Sequence, residues 1–197
     1  MTPITRRTVE FVETLPHLEG GRYEVIDGAL YVTHQPHMRH WITCDHVIVS
    51  PGGWRLATGA GRIIPAPDVT RADDEAVAPY LVWIGHARLS DVIGNNGALH
   101  AAPDLIIEVV SPGKANEECD CEKKRALYNY NRRDVSVRWI VDRQAMTVDA
   151  FRRDDEALRC IATWQPGDVI TSLRFPGFSC EIGRFFAIEY PARRTTA

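Results

Sequence analysis

The chain has 197 residues, 45% of them hydrophobic, which is enough for one buried core and too few for a separate large binding module. A formal charge of −3 gives no overall electrostatic footprint for nucleic acid, although the basic runs Lys123-Lys124-Arg125 and Arg132-Arg133 leave local binding open. Five cysteines without two separated CxxC knuckles, no signal-peptide pattern, and no apolar run near the roughly 20 residues of a membrane span point to a reduced, cytoplasmic setting.

Residues 4–15 read as a short amphipathic helix with Val9, Val12 and Leu15 on its apolar side, stopped by Pro16. From Arg22 to Val32 the chain is apolar on both sides of Asp27-Gly28, a dipeptide suited to the left-handed dihedrals of a tight hairpin turn. Glu24 either faces a site or lies on the polar side of that hairpin. A second helix is expected over 38–49, ended by Pro51-Gly52-Gly53, with His40 near its start. Its imidazole suits a phosphate or the support of a metal ligand. The histidines at 34, 37, 40 and 46 form no HExxH pattern, so zinc is not indicated.

Residues 54–57 and 62–64 read as short strands. The prolines of Pro65-Ala66-Pro67 favour extended backbone and bring Asp68 to a strand edge or loop. A solvated loop is expected over 73–78, a strand over 80–84 and a turn at Asn95-Asn96-Gly97.

The stretch Asp104-Leu105-Ile106-Ile107-Glu108-Val109-Val110 has the composition of a buried strand that nevertheless carries two carboxylates. A metal ion, a basic partner or exposure at the strand's end would each account for Glu108. Asp104 is either a further acidic ligand or a strand-entry residue bonding backbone. A helix over 115–131 follows, whose periodicity does not decide between Lys123 and Lys124 as the inward lysine; on it Cys119 and Cys121 fall on different faces. Strands over 135–141, 147–151 and 158–164 come next, with breaks at Asp142-Arg143 and Asp154-Asp155. Turns at Pro166-Gly167-Asp168 and Pro176-Gly177 precede a short helix over 182–188. The expected organisation is a helical segment over 1–21 packed on one α/β domain over 22–190, an α+β mixed sheet with additional hairpins, and a loose tail over 191–197.

Taken in order, Tyr23-Glu24-Val25-Ile26-Asp27-Gly28, His40, Pro67-Asp68-Val69, the Asp104–Pro112 stretch, Lys124 with Tyr128, Trp139-Ile140-Val141-Asp142 and Phe175-Pro176-Gly177-Phe178 resemble the bacterial restriction endonuclease family that is abundant in cyanobacteria and has the PD-(D/E)xK nuclease fold. The resemblance covers about Tyr23 to Phe186. It implies Asp68 and Glu108 as the acidic pair, with the lysine supplied by the following helix as Lys124, because Val110 stands where the compact ExK motif would place it. The chain departs from the family in a shorter segment between His40 and Trp54, and in Asp134-Val135-Ser136-Val137-Arg138-Trp139 where Gly-Val-Pro-Glu-Tyr-Trp is usual.

By that resemblance Asp68 and Glu108, with Asp104 as a possible third ligand, would hold Mg²⁺, or Mn²⁺ in its place, through hard oxygens. Lys124 would stabilise charge, with Glu24 and His40 as candidate participants. The function implied is metal-dependent hydrolysis of DNA by an enzyme that a homodimer would equip to address both strands, with no membrane association. The competing readings are an inactive nucleic-acid-binding protein of the same fold, a small-molecule phosphodiesterase, and a protein-interaction domain in which Asp68, Glu108 and Lys124 do not converge.

Overall fold

The computed structural model describes residues 6–19, 21–34, 38–67, 69–72, 75–94, 99–110, 135–154, 158–172 and 175–188. Its centre is a mixed sheet of six strands: β3 (Gly61–Pro65), β6 (Leu81–Gly85), β7 (Leu105–Val109), β8 (Val137–Asp142), β9 (Thr147–Arg153) and β10 (Leu158–Trp164). They are ordered β10-β9-β8-β7-β6-β3, and β7 with β8 is the parallel pair. Parallel neighbours need a crossover connection. The chain that supplies it contains residues 111–134, so the expected helix over 115–131, with Lys123 and Lys124, lies outside the described residues.

A second sheet, ordered β2-β1-β5-β4, is built from β1 (Gly21–Ile26), β2 (Ala29–His34), β4 (Val69–Ala72) and β5 (Glu75–Val77). The β1–β2 hairpin closes as the sequence expects: Asp27 and Gly28 take φ of 55° and 74° between the paired Ile26 and Ala29. Two successive positive φ values match the twist of the flanking strands. Strand β5 replaces part of the loop expected over 73–78. The three residues of β5 are too few to show an alternation in sequence, and burial of Val77, Ala78 and Pro79 fixes the segment instead.

The largest departure is α2 (Met38–Thr58), which runs straight through the expected stop at Pro51-Gly52-Gly53 and absorbs the expected strand over 54–57. Proline and glycine inside a helix cost about 3 and 1 kcal/mol. Burial along one face offsets them. Cys44, Val47 and Pro51 are buried, Ile48 and Trp54 pack on the same core, and the spacing is that of successive helical turns. Trp54 lies with its ring centroid 5.0 Å from Phe175 and 6.3 Å from Trp83. The shortened segment inferred between His40 and Trp54 is therefore one uninterrupted helix.

At the N-terminus, α1 (Val9–Glu13) is a single turn and a half, shorter than the helix expected over 4–15. Thr8 Oγ1 accepts from Phe11 N and fixes its start, and Arg7 N donates to Gly28 O at 2.8 Å, tying the segment to the hairpin. At the other end β11 (Val169–Ser172) pairs with β12 (Phe175–Glu181). Pro176-Gly177, read as a turn, instead lies inside β12 at a register shift, with Gly177 at φ 78°. Only Gly183–Phe186 of the expected terminal helix forms; the tail over 191–197 lies outside the described residues.

The two faces of the central sheet carry separate cores. Leu105, Ile107 and Val109 of β7 pack with Trp139, Cys44, Val47 and Phe175 on one face, while Ile106 and Val110 pack with Ile26, Val77 and Ile140 on the other. Glu108 shares the face of Ile106 and Val110 by strand alternation. The awkward glutamate thus sits at the strand end where the two sheets meet.

Candidate active site at the end of the central strand

Antiparallel pairing brings the C-terminal end of β7 beside the start of β6 and the exit of β3. Leu81 pairs with both Pro65 and Ile107, so one row of the sheet joins all three strands. Tyr80, just before β6, is the hub of that end. Its N–H donates to Glu108 Oε2 at 3.3 Å and its carbonyl accepts from Ala66 N at 2.8 Å. Glu108 is 1% exposed.

Glu24 arrives at the same segment from β1, also 1% exposed, and its Oε1 accepts from Ala78 N at 3.0 Å. The hairpin-surface alternative for Glu24 is overturned by that burial. Pro79 between the two donors has no N–H, and amides two residues apart in extended chain point to the same side about 7 Å apart. A single three-residue segment thereby receives both carboxylates.

His40 is buried on α2 with Nδ1 3.2 Å from Val110 O, two residues beyond Glu108. A carbonyl only accepts, so Nδ1 carries the proton. One helical turn later Cys44 meets the Tyr80 side chain by hydrogen bond. Burial pushes the Cys44 thiol up to about 12, against the lowering effects of that bond and of the Arg22 charge; burial and the neighbouring thiol raise the Tyr80 phenol as well. Arg22, two residues before Glu24 on the same face of β1, has Nε 3.6 Å from Glu24 Oε2. Arg22, Cys44 and Tyr80 were missed in sequence. The available signals were strand parity with Glu24 and a four-residue offset from His40.

Asp104 belongs elsewhere. It lies before β7, and four residues of strand place it about 13 Å from Glu108, too far to share a metal ion. Its Oδ1 accepts from Arg88 Nη1 at 2.7 Å and its Oδ2 from Gly85 N at 2.9 Å. This is the strand-entry role, and it corrects the expectation of a third metal ligand. Among the described residues no group of three or more His, Cys, Asp or Glu side chains is arranged to hold a metal ion. Asp68 and Lys124 lie outside the described residues; the neighbours of Asp68 are Pro67, after the Tyr80-bonded Ala66, and Val69, where β4 starts.

A family model described as "Uma2: Putative restriction endonuclease" matches residues 9–183. The chain belongs to the Uma2 family. No curated protein matches it. A crystal structure from Anabaena variabilis, described as a putative nuclease belonging to DUF820, aligns with 91% of this chain and 97% of its own at a TM-score of 0.70 and 16% identity. At that identity the likeness speaks for the fold alone, a mixed sheet with few helices in a single domain. The resemblance to the bacterial restriction endonuclease family read from the motifs over about Tyr23 to Phe186 is thereby established, the family model covering residues 9–183. Among the described residues no helix is long and apolar enough to cross a membrane.

Proposed function

We propose that this Uma2 protein is a metal-dependent DNA endonuclease whose reaction centre lies at the C-terminal end of β7. The observation that carries the reading is the delivery of two buried carboxylates, Glu24 and Glu108, to the Ala78 and Tyr80 amides from different sheets. Buried acids from distant segments gain nothing from a dry core unless a hydrogen bond or a cation answers them.

The donor set fits a hard divalent cation. Glu108 and Asp68 would hold Mg²⁺ or Mn²⁺ through carboxylate oxygens, with Glu24 as the supporting acid. When bound, the ion neutralises phosphate charge and lowers the pKa of a coordinated water. The chain's own contribution is orientation. Tyr80 N–H fixes one Glu108 oxygen and Ala78 N–H one Glu24 oxygen, while His40 ties α2 to the end of the same strand. Lys124 would face the phosphate as a fixed positive charge.

Cutting of supercoiled plasmid in Mg²⁺ and in EDTA tests the reading. Wild type should nick and linearise the plasmid only with metal, and Asp68→Asn should abolish cutting with an unchanged far-ultraviolet circular dichroism spectrum. Wild-type protein that binds DNA yet leaves it intact in both Mg²⁺ and Mn²⁺ would identify a binding protein that has kept the fold without the activity.

A further inference from the structure

Two arginines stand near the paired carboxylates, and their burial separates their possible roles. Arg138 of β8 is paired in register with Ile106, so it shares the face of Glu108, but it is 1% exposed and out of reach of a polymeric substrate. Arg22 instead spans the boundary. Its side chain is 36% exposed, its Nε lies 3.6 Å from a Glu24 oxygen, and its charge acts on the Cys44 thiol of α2.

We infer that Arg22 is a catalytic residue that grips a non-bridging oxygen of the scissile phosphodiester. The inference rests on the nuclease reading above. A phosphodiester anion that approaches two buried carboxylates meets repulsion in a medium that screens poorly. A partly exposed guanidinium in ion contact with one of them through Nε offsets that repulsion where the anion enters. Its planar fork of donors matches phosphate geometry, and a lysine ammonium does so only as a point charge. The 3.6 Å ion contact with Glu24 also biases the guanidinium toward this end of the site before substrate arrives, which lessens the ordering required in the reacting complex.

A residue that merely held Glu24 in place would give the same loss of rate, so the experiment includes a readout of phosphate contact. Binding of a fluorescein-labelled DNA duplex is followed by anisotropy across a NaCl series in Ca²⁺, and single-turnover cleavage is followed in Mg²⁺, for wild type, Arg22→Gln and Arg22→Lys. Arg22→Gln should flatten the plot of log affinity against log salt by about one unit and slow cleavage about 10–100-fold. Arg22→Lys should keep the slope and recover part of the rate.

A slope unchanged in Arg22→Gln, whatever happens to the rate, overturns the inference and leaves Arg22 as a positioning residue for Glu24 or a bystander. If wild type binds but does not cut, the nuclease reading fails, and the slope still decides whether Arg22 touches phosphate. If wild type neither binds nor cuts, both fall. Arg22→Lys, which keeps the cation beside Glu24, guards against loss of fold as the cause of a flattened slope.

Discussion

Strand β7 carries a buried carboxylate at each end, and the two ends have been solved differently. At the N-terminal end Asp104 meets a guanidinium at 2.7 Å and a backbone amide at 2.9 Å, and Arg88 also caps the Ala102 carbonyl at 2.9 Å. That arrangement is closed locally, within residues 85–104. At the C-terminal end Glu108 meets the amide of Tyr80, and Glu24, His40 and Cys44 come to the same place from β1 and α2. Acids that only stabilise can be satisfied by neighbours in the chain. In the proposed reading the acids that act on a substrate come instead from distant segments, Glu24 from β1 and Glu108 from β7, each answered by an amide of the Ala78–Tyr80 segment.

If that contrast is correct, substitutions at the two ends affect different quantities. Glu108→Gln preserves shape and can still accept from Tyr80 N, so folding should be retained while plasmid cutting falls at least about 100-fold. Asp104→Ala should do the reverse. It removes the answer to Arg88 and to the Gly85 amide, and because Arg88 is 39% exposed the cost is nearer about 2 kcal/mol than the larger penalty of a fully buried pair. Urea unfolding measures this, and cutting per folded molecule should be unchanged. Loss of cutting in Asp104→Ala at wild-type stability would erase the distinction.

Alkaline pH gives a sharper test of how dry the C-terminal end is. The Cys44 thiol ionises at 9.0 in the unfolded chain and at about 12 in the folded one, so its contribution to stability is complete below pH 9 and lost as pH rises toward 12. Across that window the thiol alone removes at most about 1.4 kcal/mol for each pH unit. The upward shift of the Tyr80 phenol adds a loss of the same sign. Cys44→Ala should therefore flatten the decline in thermal midpoint above pH 9. An identical decline in wild type and variant would mean that water reaches the thiol and that the site end is open.

The same contrast explains which features could be read from the sequence. The Asp27-Gly28 turn and the apolar β7 were legible because local sterics and alternation decide them. Glu108 was legible as an anomaly, a charge in an apolar run. Asp104 and Glu108 share a face by alternation, and their four-residue spacing already set them about 13 Å apart along a strand; what the sequence did not carry was the pairing that gives Asp104 its own partners, Arg88 and the Gly85 amide. Arg22 and Tyr80 gained meaning only from sheet pairing, which joins β1 to β5 and β3 to β6 across many residues of chain. Helix α2 was misread for the opposite reason. Local breakers at Pro51, Gly52 and Gly53 were overruled by the packing of Val47, Pro51 and Trp54, a tertiary term that no dipeptide signal contains.

The smallest expected effect belongs to the glycines of α2, and it also separates helix stability from site chemistry. Gly52 and Gly53 sit inside α2 without a left-handed backbone, and a Cβ added at either meets no atom within 4 Å. Alanine at each should raise stability by about 0.5–1 kcal/mol, because it removes the backbone entropy that glycine carries into a helix and adds no clash. His40 and Cys44 lie at least two turns earlier on the same helix, so metal-dependent cutting at a temperature well below the melting midpoint should match wild type. A raised midpoint with unchanged cutting would show that α2 supplies its site residues from a frame already rigid at that end. A raised midpoint with slowed cutting would show instead that the glycines loosen the helix that carries His40 to Val110, and would make α2 a moving part of the site.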